Sequence, residues 1–363
     1  MISEGESLDE GELAKVFLRG CYCFLANQTT LDKRSIKLMK TTLQKTLGKR
    51  SLGKLGMILG GGLVLCGAIA EADTFGTGAN GFTLDFVAVG NAGNGNDAGT
   101  GGSYGGVAYD YRMGVNEISQ AAIDAAVAGG LTGMPVGRWS GSQPSANINW
   151  YQAAAFTNWL NTSTGHEEAY QLNAELTAMT VWSSAEAWQV GGENLYRNKD
   201  AYYFLTSENE WYKAAYQKND GVTADYWDYP TASNSMPSAV GSGTVAGTAV
   251  YDAVASVPAG VANAGGLSAY GTMGQGGNVW EWMETAHDGV NNSSSENRVL
   301  RGGYWNDTEG YLRSSYRSLY SSPTLSNANV GFRVASVPEP SAVVLMIGAG
   351  VLALARRRTR AAL

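Results

Sequence analysis

GGNVWEW, residues 276–282, begins the part of this chain whose reading decides the fold, and two stretches answer it: VLRGGYW at 299–305 and NVGFRVA at 329–335. Each mixes glycine with aromatic or arginine residues within seven positions. Trp280, Trp282 and Trp305 are large apolar side chains that bury much area in a domain short of long helices. Gly302, Gly303 and Gly331 suit positions needing positive φ or close backbone approach. Arg301, Arg313, Arg317 and Arg333 each present a planar fork that can tie loop carbonyls or a carboxylate. The three stretches therefore predict scaffold, with irregular loops pinned on aromatic rings. The composition agrees: 48 Gly, 10 Trp and 19 Tyr among 363 residues, with only 16% charged.

Working towards the N-terminus, the spacing predicts few regular elements. Phe82–Val89 alternates imperfectly and reads as a strand, and residues 107–115 read as a second, with Tyr109 and Tyr111 on one face. Ile118, Ala121, Ala122 and Ala125 recur at helical spacing within 117–128. Asn149 with Gln152, and Ser207 with Glu210, have the capping-box spacing ahead of Trp150 and Trp211. These capping residues read as structural, not catalytic. Residues 90–106, rich in Gly and Asn, read as a solvated loop. Asn94, Asn96 and Asp97 could suggest a calcium loop, and the G-x-G spacing a phosphate cradle, but neither has the strand-to-helix context those motifs need. Residues 161–200 are polar and ambiguous, and 227–269 read as long loops and short strands. No repeat at a fixed period is visible.

Six segments in order, MGVNEIS (113–119), NINWYQAAAFTNWL (147–160), YFLTSENEWYKAAY (203–216), GGNVWEW, VLRGGYW and NVGFRVA, resemble the sulfatase-modifying-factor, or formylglycine-generating-enzyme-like, domain across nearly all of 85–335. The resemblance implies a compact α+β domain of C-type-lectin-like topology with little regular secondary structure. It also implies a reaction. Active members oxidise a substrate cysteine to formylglycine with copper on a cysteine pair lying between the RGG and GFR motifs. Residues 306–329 contain no cysteine here. Thiolates are the soft ligands that select Cu(I), and Ser314, Ser315 and Ser318 stay protonated near neutral pH. No copper and no formylglycine generation are expected. The family also holds a structural calcium ion near GNVWEW. Gly277 and Val279 match the carbonyl positions, Asn278 lies between them, and Glu281 matches the acid; hard oxygens of this kind suit calcium. Gly274 stands where many relatives carry Asp or Asn. The competing expectation is that Glu281 pairs with an arginine such as Arg301.

The two ends predict export. Val337-Pro338-Glu339-Pro340 cannot continue a strand or helix, because proline removes donors and fixes φ. An uncharged run, 342–355, follows and predicts a single transmembrane helix at the short limit for spanning. Arg356, Arg357 and Arg358 then favour the cytoplasmic side. The tail, 337–363, resembles the PEP-CTERM sorting signal, which Gram-negative bacteria pair with the transpeptidase exosortase. At the other end, 39–72 reads as a secretory signal peptide for the Sec translocon, with Lys45, Lys49, Arg50 and Lys54 before an apolar core and cleavage at Ala70 or Ala72. Met39 is a natural start, so 1–38 reads as a misassigned extension, a genuine long leader being the alternative. Cys21, Cys23 and Cys66 all precede the cleavage site. The exported chain would thus own no disulfide and no thiolate.

Residues 73–337 carry 24 acidic and 11 basic side chains, net −13. Such a balance argues against nucleic acid, which needs a basic face. His166 and His287 lack a metal-binding spacing, and although His287-Asp288 makes a hydrolase dyad conceivable, no G-x-S-x-G nucleophile supports one. Two functions remain: a non-catalytic domain that binds exopolysaccharide or envelope proteins or acts structurally, and a formylglycine-generating-type oxidoreductase with a divergent active site.

Overall fold

The structure, a computed structural model, describes residues 70–318 and 321–338. The leader up to Ile69, the run 342–355, and Glu339, Pro340, Arg356, Arg357 and Arg358 lie outside the described residues. Among those described, no helix is long and apolar enough to cross a membrane.

Eight strands organise the described chain: β1 (Glu71–Phe75), β2 (Phe82–Val89), β3 (Tyr111–Gly114), β4 (Tyr203–Leu205), β5 (Trp280–Ala286), β6 (Arg298–Arg301), β7 (Val330–Gly331) and β8 (Val334–Ser336). The first sheet runs β1-β2-β3-β8-β4 and is antiparallel throughout; the second runs β6-β5-β7. Among the described residues, three two-stranded ladders complete the sheet structure, one of them pairing Ala187–Trp188 with Asn194–Asn198. The last strand in sequence is thus interior to the first sheet, with Ala335 opposite both Met113 and Phe204. The sheet cannot close until Val334–Ser336, the last strand of the described chain, arrives. Val337 donates its N–H to Tyr202 O (3.0 Å), and the exposed Pro338 then ends the ladder, having no N–H to give.

Helix starts follow their caps. α1 (Gln120–Ala128) begins after Ser119, which accepts from Ala122 N, so it is shorter than the expected 117–128. α2 (Trp150–Ser163) and α3 (Glu208–Tyr216) open with the two capping boxes read from sequence, both reciprocal bonds present in each. α2 also protects the β4 edge: Asn161 donates to Tyr203 O (2.8 Å) and accepts from Tyr202 and Tyr203 N–H (3.0 and 2.8 Å). Satisfying an edge this way removes a template for pairing with another chain.

Two expectations need correction. β2 has the expected bounds, but the strand expected over 107–115 is only Tyr111–Gly114. Val107 N–H instead bonds the Asn94 side chain (3.2 Å). The same contact shows that 90–106 is not simply solvated. Asn94 is buried and reaches Gly105 O (2.8 Å) and Tyr226 Oη (2.7 Å), while Asn96 clips Gly102 O to Gly106 N. The Gly/Asn run is held by its own amides.

The core is aromatic. Trp150, Trp282, Phe156, Tyr170, Tyr196 and Phe332 are fully buried in one cluster. Trp305, expected inside, is only half-buried and meets Trp139 edge-on at 5.4 Å. Gly331 takes its place for the reason expected, since a Cβ there would lie 2.6 Å from Ser145 O.

Candidate functional site

The GGNVWEW loop is a closed structure. Gly277 has φ +83°, and a Cβ would fall 2.0 Å from Val250 O, so only glycine fits. The buried Asn278 accepts from Ala259 N–H (2.8 Å) and donates to Glu117, whose other oxygen takes Val279 N–H (3.2 Å). Glu281 is fully buried and bound bidentately by Arg333, at 2.7 Å from Nε and 2.7 Å from Nη2, with Trp211 Nε1 at 2.8 Å. Arg333 also donates to Gly114, Val115 and Met273 carbonyls (3.1, 3.1 and 2.8 Å). One ion pair thereby joins the first and third motifs to β3.

The partner of Glu281 is thus Arg333, not Arg301. Arg301 does stand opposite Glu281 across the β5–β6 ladder. α3, however, brings Glu208 to it, with Arg301 Nε at 2.8 Å, and Arg317 binds the same carboxylate at 2.9 to 3.1 Å. The loop's side chains do not fit a calcium ion in this arrangement. Glu281 spends its oxygens on guanidinium and indole, and the Asn278 oxygen is spent on a backbone N–H. Among the described residues, no group of three or more His, Cys, Asp or Glu is placed to hold a metal. Both Glu117 oxygens are likewise taken, by Asn278 and Val279 N–H, and burial, followed by the repulsion of Glu281, pushes its carboxyl well above the ordinary range.

The stretch between the second and third motifs is packed with tyrosine. Tyr311 and Tyr316 lie 5.9 and 5.8 Å from Trp280 and 4.6 Å from each other, ring centre to ring centre. Ser314 is buried. Asp307 is half-buried beside them, accepts from Tyr304 N–H (3.2 Å), and is pushed up to about 6 by burial.

An open cleft of about 300 Å³ lies elsewhere, between the loops around 106–109, 188–194 and 285–291 and the start of α3. Tyr109 and Trp188 line it, with rings 5.4 Å apart, together with Asn194, Asn209, Thr285 and Asn291. Its floor is Arg197, 1% exposed, which bonds Glu210 (3.0 and 3.0 Å) and Glu284 (2.9 and 2.6 Å). Burial alone would raise the Glu210 carboxyl, but the Arg197 charge and hydrogen bonds hold it below the usual range. Tyr109 Oη (2.6 Å) and Ser207 N–H (2.6 Å) also donate to Glu210, and Asn194 (2.6 Å) donates to Glu284. None of the three Gly/Trp/Arg motifs lines this cleft; its signals in the sequence are the head of the 203–216 segment, with Ser207 and Asn209, and Trp188 ahead of Gly191 and Gly192 in a polar run.

Of the export residues, Ala70 is exposed just before β1, whereas Ala72 lies within it, paired with Asp85. Asp73, the next residue, binds Arg112 (2.6 Å) and Tyr203 Oη (2.8 Å). Cleavage after Ala70 leaves β1 whole; cleavage after Ala72 removes two of its residues.

Fold and motifs define an α+β domain of short elements, followed directly by a sorting tail. The chain belongs to the sulfatase-modifying factor enzyme 1-like domain family, whose profile matches residues 81–337. The PEP-CTERM protein-sorting motif matches 336–360 and marks an exported protein of the cell envelope or surface. Among solved structures, Treponema denticola variable protein 1 is similar at 22% identity and TM-score 0.49, covering 74% of this chain and 99% of that one. CarF gives 17% and 0.44 (74% and 97%), and PvdO from Pseudomonas aeruginosa 14% and 0.46 (73% and 98%). No curated protein matches the chain significantly.

Proposed function

We propose that this exported protein is processed by exosortase and that its domain binds a component of the cell envelope or extracellular matrix without oxidising cysteine. In this reading the Sec translocon exports the chain. Residues 342–355 hold it transiently in the inner membrane of a Gram-negative cell, and exosortase acts at Pro338-Glu339-Pro340. The exposed Pro338, just after the last described backbone bond of the sheet at Val337, supports this.

The observation that carries the non-catalytic reading is chemical. No cysteine follows Cys66, and tyrosine fills the stretch where the family's copper-binding pair belongs. A hydroxyl or phenol that stays protonated is a poor ligand for cuprous ion. The buried acids of the motifs support the same reading, since Glu281, Glu208 and Glu210 are each bound to arginine. The reading assigns no calcium to the motif loop.

The exported protein, incubated with copper and a cysteine-containing sulfatase peptide, should yield no aldehyde by mass spectrometry. Catalytic turnover to formylglycine would overturn the reading. The mass of the mature C-terminus tests the sorting step, and a chain still carrying Arg356–Arg358 after export would refute it.

A further inference from the structure

The free groups of the Tyr109–Trp188 cleft narrow the ligand class, an inference that rests on the binding reading above. Three donors on its lining have no described residue to accept from them. Asn209 spends only its amide oxygen, on Gly105 N–H (3.0 Å). The Ser207 hydroxyl accepts from Glu210 N–H (3.2 Å) and the Thr285 hydroxyl from Glu208 N–H (2.8 Å), and neither donates. A ligand that settles here must bring acceptors, because a donor buried without a partner costs free energy.

Charge then excludes the commonest acceptors. Arg197 carries one positive charge against Glu210 and Glu284, and the exposed Glu193 adds a further negative charge at the rim. A carboxylate or sulfate would enter a field of its own sign. What remains is a neutral oxygen acceptor. Tyr109 and Trp188 add aromatic surface, and Val190 and Val290, each 52% exposed, add apolar rim. A ring with C–H faces and hydroxyl edges matches both demands. The cleft, about 300 Å³, is at the small end of ligand sites and suits a single ring. A peptide is disfavoured because the hairpin carrying Trp188 offers no ladder position at Leu195: its N–H bonds Asn291 O (3.1 Å) and its carbonyl accepts from Trp182 (2.8 Å).

We propose that this cleft binds a neutral pyranose unit of a polysaccharide, with Trp188 and Tyr109 against its C–H surface and Asn209, Ser207 and Thr285 donating to its hydroxyls. Native affinity electrophoresis of the exported protein through gels containing dextran, mannan or galactan tests it, with carboxymethyl-dextran and a random decapeptide pool in parallel. At least one neutral polymer should retard the protein. Retardation should weaken about tenfold in Trp188→Ala, as expected for loss of an aromatic anchor. It should also fall in Asn209→Asp, which keeps an oxygen for Gly105 N–H and loses only the free donor. Carboxymethylation should weaken it. Retardation that both variants retain would remove the cleft from the proposal while leaving the binding reading intact. Peptide capture without polysaccharide retardation would overturn the ligand class, and silence with every probe would overturn the proposal. Aldehyde formation is scored separately and bears only on the non-catalytic reading.

Discussion

The motif loop at 277–282 and the cleft lined by Tyr109 and Trp188 are made of similar material: glycine, tryptophan, asparagine and a buried arginine–carboxylate set. They differ in what is left over. In the loop, Asn278, Glu281 and Arg333 bond protein partners and are sealed from solvent. In the cleft the ionic floor is sealed in the same way, but Asn209, Ser207 and Thr285 each keep a donor facing no described acceptor. The three Gly/Trp/Arg motifs are thus committed to architecture, whereas the free donors of the cleft come from the head of α3, within the 203–216 segment, and from Thr285 near the end of β5.

The hardest test of that division is Arg333→Met. It leaves Glu281 buried without its cation, which costs about 3–5 kcal/mol when one partner of a buried pair is removed. Against a total of roughly 5–15 kcal/mol for a domain, most of the stability goes. Urea unfolding should show a much lower midpoint, and a loss below about 1 kcal/mol would mean the pair is not what joins the motifs.

Gly331→Ala is the next largest. The new methyl would sit 2.6 Å from Ser145 O and 3.1 Å from a Val279 methyl, both in the tightly packed interior. Overpacking of this kind costs roughly 1–3 kcal/mol. Thermal unfolding should register it, while polysaccharide retardation at low temperature should be unchanged. If binding failed before stability did, loop and cleft would not be separable.

These two sites also show what could be read without coordinates. The need for glycine at 331 was legible because close backbone approach leaves few alternatives, and the capping boxes were legible because three-residue spacing is local. The Glu281–Arg333 pair was not. Strand pairing set Arg301 opposite Glu281, and the choice of Arg333 depends on Glu208 arriving from α3 to claim Arg301. Trp188 was hidden for a similar reason. It gains a neighbour only when 106–109, 188–194 and 285–291 meet, and segments so far apart in sequence leave no periodic trace. Asn94 is buried rather than solvated, and sequence does not show it because asparagine that clips backbone has the same composition as asparagine in water.

Asn149→Ala tests a purely local element. It removes the acceptor for Gln152 N–H (2.8 Å) at the head of α2 and should cost about 1 kcal/mol. α2 supplies no described lining residue to the cleft, so retardation should survive. A loss above about 2 kcal/mol would show that Asn149 does more than cap.

Asp307 lies in neither region, half-buried in the tyrosine-rich stretch, and should give the smallest effect. Burial raises it to about 6 against an ordinary aspartate near 3.8, outweighing the hydrogen bonds from Tyr304 N–H and Trp280. The folded chain therefore holds this proton more tightly than the unfolded chain. Its contribution favours the fold below about pH 3.8 and is lost as pH rises through about 6. Asp307→Asn keeps an oxygen for Tyr304 N–H but cannot ionise. Between pH 4 and 7 the parent should lose stability relative to this variant, seen as thermal midpoints that diverge with rising pH. Parallel curves would mean that water reaches the carboxylate freely, which would turn the 304–316 stretch into a second open surface and weaken the case for a single binding cleft.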